Sequence, residues 1–93
     1  MSTPLNLSVK HLRYTNEVFT SVTMEHEEAF SSLVTALEAK GFKVVRGRYE
    51  YTKTVALTVQ GLKSDRAVQY VLDIIRRVGA KAGFIFPFSV AHN

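Results

Sequence analysis

Three histidines, eight carboxylates and no cysteine make up the chemistry-bearing residues of this 93-residue chain. His11, His26 and His92 stand far apart, and none has a metal-ligating residue three or four positions further on, the spacing that puts two ligands on one helix face. Each reads as a surface residue. Without cysteine there is no disulfide, no thiolate nucleophile and no Cys-based zinc or iron–sulfur site. Glu25, Glu27 and Glu28 do cluster, but paired carboxylates work as acid and base only inside an enclosing pocket, and these open a helix, where the helix dipole already favours negative charge. No Walker A loop, G-x-G-x-x-G, G-x-S-x-G or H-E-x-x-H is present. The expectation is a protein without metal, cofactor or catalytic machinery.

What remains is charge and surface. Lys and Arg number 12 against 8 Asp and Glu, a net charge of +4 and an isoelectric point near 9.6. The two signs are segregated. Glu25, Glu27, Glu28 and Glu38 precede Lys40, whereas Lys43, Arg46, Arg48 and Lys53 follow with only Glu50 among them. Such asymmetry steers an oppositely charged partner or simply solvates a surface. As a nucleic-acid footprint the candidates are Lys10, Arg13, Arg46, Arg48 and Lys53, with Phe19 as the one stacking ring. The run Arg46-Gly47-Arg48-Tyr49-Glu50-Tyr51 does not reproduce the aromatic pattern of RNA-recognition modules.

The elements that would position these residues follow from periodicity. Leu5, Leu7 and Val9 alternate with polar residues, so residues 1–14 hold an arm or an extra strand. From Glu17 the alternation is regular, with Val18, Thr20, Val22 and Met24 on one face and Phe19, Ser21 and Thr23 on the other. Thr15-Asn16 is turn chemistry, and both a hairpin over 5–24 and a strand preceded by a tail are compatible with it. Phe30, Leu33, Val34 and Leu37 mark a helix from about Glu25 to Lys40, with Thr23 as its expected cap and Gly41 as its stop. Residues 42–51 and 54–60 read as a second hairpin, in which Gly47 marks a bulge or a close approach. Ser64 caps a second helix carrying Val68, Val71, Leu72, Ile75 and Val78, broken by Gly79. Arg76, Arg77 and Lys81 suit the negative end of that helix or an acidic contact. Residues 84–90 alternate as a last strand, which Pro87 confines to an edge.

This order predicts a single α+β domain over 1–93, a two-layer α/β sandwich of the ferredoxin-like βαββαβ kind with an extra N-terminal strand as an option. Architecture alone carries no activity. The functional expectation is a small non-enzymatic module acting through a protein–protein interface, either as adaptor or inhibitor of a larger assembly or as a homodimer. Phe19, Arg46, Arg48, Ala56 and Thr58 are its contact residues. Nucleic-acid binding through the basic strand and a small-ligand regulatory domain stand as alternatives. No apolar stretch is long enough to span a bilayer, so no membrane partner and a cytoplasmic location are expected.

Overall fold

The computed structural model describes residues 5–87 and 90–92. In order these form β1 (Leu5–Asn6), β2 (Ser8–Leu12), β3 (Glu17–Thr23), a 3-10 turn (Met24–His26), α1 (Glu27–Ala39), β4 (Lys43–Tyr49), β5 (Thr54–Gln60), α2 (Asp65–Lys81), β6 (Phe84–Ile85) and β7 (Ala91–His92). The main sheet has the order β4-β5-β3-β2-β7, and β1 with β6 forms a separate parallel pair. β2 to β5 pair antiparallel, while β7 joins β2 in parallel. The class is α+β, with two helices laid on one face of the sheet.

The alternation of β3 decides which face that is. Val18, Thr20 and Val22 are buried, as are Val55, Leu57 and Val59, which stand opposite them on β5. Against these pack Phe30, Leu33, Val34 and Leu37 of α1, the stripe expected from their spacing, and Val68, Val71, Leu72, Ile74, Ile75 and Gly79 of α2.

Several boundaries differ from the sequence expectation, each for a local reason. Residues 8–23 form a hairpin, β2 to β3, closed by a turn over 13–16 in which Asn16 takes the left-handed conformation at φ 54°. Asn tolerates that region better than most residues because its short amide bonds locally. Thr23 does not cap a helix by its side chain. A 3-10 turn intervenes, and α1 begins after His26, whose side chain also makes no cap bond. Ser64 does cap α2, its hydroxyl accepting from the Ala67 N–H at 3.1 Å. Gly79 does not break α2, which runs on to Lys81. A Cβ there would lie 3.5 Å from Leu7 and 3.6 Å from Phe84, in ordinary van der Waals contact, so the N- and C-terminal segments pack on the helix at this point.

The final run is not one strand. Phe84–Ile85 pairs with β1, Pro87 makes no ladder, and the chain rejoins the sheet only at β7; Phe88 and Ser89 lie outside the described residues. Pro87 has no N–H to donate, and the place beside β3 is already held by β2.

Two substitutions test this packing with opposite signs. Leu37 is fully buried, and Leu37→Ala should lower stability by about 2–5 kcal/mol in chemical denaturation, through lost transfer energy plus a cavity. Thr20 is equally buried, and its hydroxyl has no hydrogen-bond partner among the described residues. Thr20→Val, of nearly the same shape, should therefore raise stability by about 1–3 kcal/mol, the cost of a buried unsatisfied hydroxyl. A loss on Thr20→Val would reveal a partner for that oxygen.

Candidate binding surface

Residues opposite each other in an antiparallel ladder share a face, so the pairing register sorts every strand residue. Val45 opposes Thr58, Gly47 opposes Ala56 and Tyr49 opposes Thr54. Phe19 opposes Thr58 on one side and Lys10 on the other, and Ser21 opposes Ala56 and Ser8. These residues form the outer face, away from the helices. It brings together Phe19, Ala56 and Thr58 of the expected contact set, and adds Val45 and Tyr49, which are 43% and 49% exposed. Its centre is uncharged. Lys10, Glu17 and Lys43 stand around it. No described element covers this face: both helices pack on the other side, and Phe86 and Val90 of the C-terminal segment line a cleft with Leu72 and Arg76 of α2.

Ala56 behaves differently from the rest. Although it points outward, mid-strand between Gly47 and Ser21, it is only 3% exposed. The ladder through Gly47 is continuous, so there is no bulge. The close approach is made by Tyr49, whose hydroxyl would sit 3.2 Å from a Cβ at position 47.

Arg46 and Arg48 are not on this face. Their partners across the ladder, Leu57 and Val55, belong to the helix side. Arg48 reaches back to the start of α1, where Nη1 donates to both Glu27 oxygens at 2.9 Å; Nε donates to Glu50 at 2.9 Å. Nη2 lies 3.4 Å from the Met24 sulfur. The hydrogen bonds to Glu50 and then Glu27 hold the guanidinium pKa above its ordinary value. A raised cationic pKa contributes at every pH below the ordinary arginine value and is lost only above the raised one, so this link is insensitive to Arg48 titration near neutrality. One pair of the segregated charges, Glu27 and Arg48, thus meets within the molecule and fastens the edge strand to the start of α1.

The other basic candidates are dispersed. Lys10 is on the outer face and Arg13 is in the β2–β3 turn. Lys53 is at the opposite end of the sheet, where its carbonyl accepts from Met24 N–H. Arg46 is exposed and makes no ion pair among the described residues.

One histidine departs from the surface reading. His11 is 7% exposed. Its Nε2 donates to Asn16 Oδ1 at 2.9 Å, and Asn16 Nδ2 donates to the Leu62 carbonyl at 2.8 Å. The pair ties the hairpin turn to the segment before α2, beside a cleft of about 450 Å³ that Arg13, Asp65 and Gln69 also line. Sequence reasoning missed this constellation; Asn16 was visible only as a turn residue, and its partner is 46 positions away. β7 sets the His92 backbone in register with His11. His26 lies 3.3 Å from Glu25. Among the described residues no group of three or more His, Asp or Glu could hold a metal ion, and no helix is long and apolar enough to cross a membrane.

Compared with known proteins, the chain matches no family model, no curated protein and no solved structure.

Asn16 makes the geometry of this corner testable. Asn16→Ala should destabilise the protein by about 1–3 kcal/mol, because it unpairs the Leu62 carbonyl and forces alanine into left-handed backbone. Asn16→Gly relieves the second cost only. It should be less harmful than alanine by about 1 kcal/mol, and equal losses from the two variants would show that backbone conformation plays no part.

Proposed function

We propose that the chain is a non-enzymatic binding module whose outer sheet face receives a protein partner, either a component of a larger assembly or a second copy of itself. One observation carries this reading: the outer face has an uncharged centre of Phe19, Val45, Tyr49, Ala56 and Thr58 inside a rim of Lys10, Lys43 and Glu17, and no described element covers it. An apolar, desolvatable centre with charges at its margin is the anatomy of protein interfaces. Three strands of seven residues and one of five, about 4.8 Å apart, give a footprint on the order of 400 Å². That is about half of what one partner contributes to a standard interface. The partner therefore extends past the face, and β4 is the natural continuation, since it is an outer strand of the sheet. Its alternate backbone groups can accept a further strand. Arg46, unpaired on the helix side of that edge, would orient an acidic segment and speed its arrival.

The platform under this reading is a ferredoxin-like sandwich in permuted order, with β2 standing where the last strand of a βαββαβ chain would stand. A reducing, cytoplasmic setting suits a chain whose core holds together without disulfides. One pairing favours nucleic acid as a second reading: Lys10 directly opposes Phe19 on the outer face, a cation beside a ring on which a base could stack.

The test uses Val45, because an Asp at Ala56 would bury a carboxylate in a 3% exposed position and damage the fold itself. Val45 is 43% exposed, so Val45→Asp should leave the melting temperature nearly unchanged. It should nevertheless weaken capture of the partner, or the dimerisation constant from light scattering over a concentration series, by at least tenfold. Full affinity in Val45→Asp would overturn the outer-face reading. Wild-type capture that falls steeply with salt and is lost after nuclease treatment would transfer the surface to nucleic acid.

A further inference from the structure

A second surface, on the helix layer, has a chemistry that the partner reading does not use. Along the α1–α2 seam lies a cleft of about 430 Å³ with Ala36, Ile74 and Val78 lining its apolar part and Lys40, Arg77 and Lys81 supplying its polar groups. That volume falls in the range of small-molecule sites. No carboxylate lines it.

The charge there is in excess. Lys40 and Lys81 make no ion pair among the described residues, and Arg77 shares the single carboxylate of Asp73 with Arg76, at 3.0 and 2.6 Å. Two guanidinium groups on one carboxylate leave one positive charge over. Helix dipoles account for cations at the ends of α1 and α2. Core packing accounts for Ile74 and for the inner sides of Ala36 and Val78, but both of these stay half-exposed and leave apolar area between those cations. An inorganic anion would gain nothing from that strip, and a neutral hydrocarbon would gain nothing from the cations. A ligand satisfying both carries an anionic head and a short apolar tail.

We infer that the α1–α2 cleft is a binding site for a small anionic amphiphile, a medium-chain carboxylate being the simplest case, with Lys40 at one end of the strip and Lys81 at the other offered to the head and Ala36, Ile74 and Val78 to the tail. Arg77, held by Asp73, closes one side. The site is separate from the outer sheet face, so the two readings stand or fall apart.

The experiment is an NMR titration of the intact labelled chain with sodium acetate, hexanoate, octanoate and decanoate, each kept below its micellar concentration. Affinity should rise along the series, up to about fourfold per added methylene that reaches the apolar strip. The shifts should centre on Ala36, Ile74 and Val78. Lys40→Gln combined with Lys81→Gln should weaken decanoate at least tenfold, and Val78→Gln should flatten the chain-length dependence while sparing the effect of the head group. Decyltrimethylammonium, with the same tail and opposite charge, should bind at least tenfold more weakly than decanoate. The assignment is overturned if decanoate gives no saturable shift, if the shifts fall on Phe19 and Val45 instead, if the double glutamine variant binds as the wild type does, or if the cationic amphiphile binds equally well. Binding to phosphatidylglycerol vesicles without binding of free decanoate would also overturn it, making the patch a membrane contact.

Discussion

A sheet has two faces, and the described residues of this chain form two α-helices, long enough to cover one of them. Leu33, Leu37, Val71 and Ile75 are fully buried against Val18, Leu57 and Val59, also fully buried, and that layer-on-layer contact is the hydrophobic contribution on which the domain rests. Everything else about the molecule follows from its one-sidedness. Because both apolar stripes are spent on the same side, the other side meets solvent or a partner, and its residues answer to a different selection of physical chemistry: uncharged at the centre, half-exposed except at the buried Ala56, with small side chains at Gly47, Ala56 and Ser21. The same contact fixes the register, since a slip by one residue would turn Val55, Leu57 and Val59 outward.

Much of this was written locally in the chain. The spacing of Phe30, Leu33, Val34 and Leu37 is the face of a helix wherever the helix sits, and the period-2 run over β3 names its own buried set. Ser64 followed by Asp65 is a start signal whose bond closes within three residues. What was not legible is what depends on distant segments. Which strand lies next to β3 is decided by competition between β2 and the C-terminal run, and nothing within residues 84–90 reveals that the place is taken. Nor does parity say which parity faces the helices on β4. Val45 and Arg46 are adjacent, and only the pairing of Arg46 with Leu57 shows that the arginine is on the covered side.

Arg48 illustrates how an apparent site dissolves into architecture. Read as sequence, a basic strand after an acidic helix is a charge asymmetry. Read with its partners, Glu27 and Glu50 at 2.9 Å, it is an intramolecular clamp at the edge of the sheet. All three side chains are well exposed, so the clamp adds little net stability. Its effect is positional, holding the outermost strand to the helix layer at the end where Met24 N–H also bonds the Lys53 carbonyl. Arg46, two residues away, makes no ion pair among the described residues, and with Lys43 it is a cation that the edge leaves available.

The two surfaces singled out differ in the force that would fill them, and this separates them in experiment. The outer face offers area with its charges at the rim, so association there draws on desolvation and is weakly screened by salt. The helix seam offers Lys40 and Lys81, which make no ion pair among the described residues, beside apolar area too small to hold a ligand alone. Affinity there depends on both and weakens as ions screen Lys40 and Lys81. A domain of this size has a stability of only about 5–15 kcal/mol. It cannot lodge strained or unpaired groups freely in its core, and the buried Thr20 hydroxyl is already one such cost. Binding chemistry in so small a sandwich therefore belongs on the surfaces that its core leaves over, where a charge or an exposed ring costs the fold almost nothing.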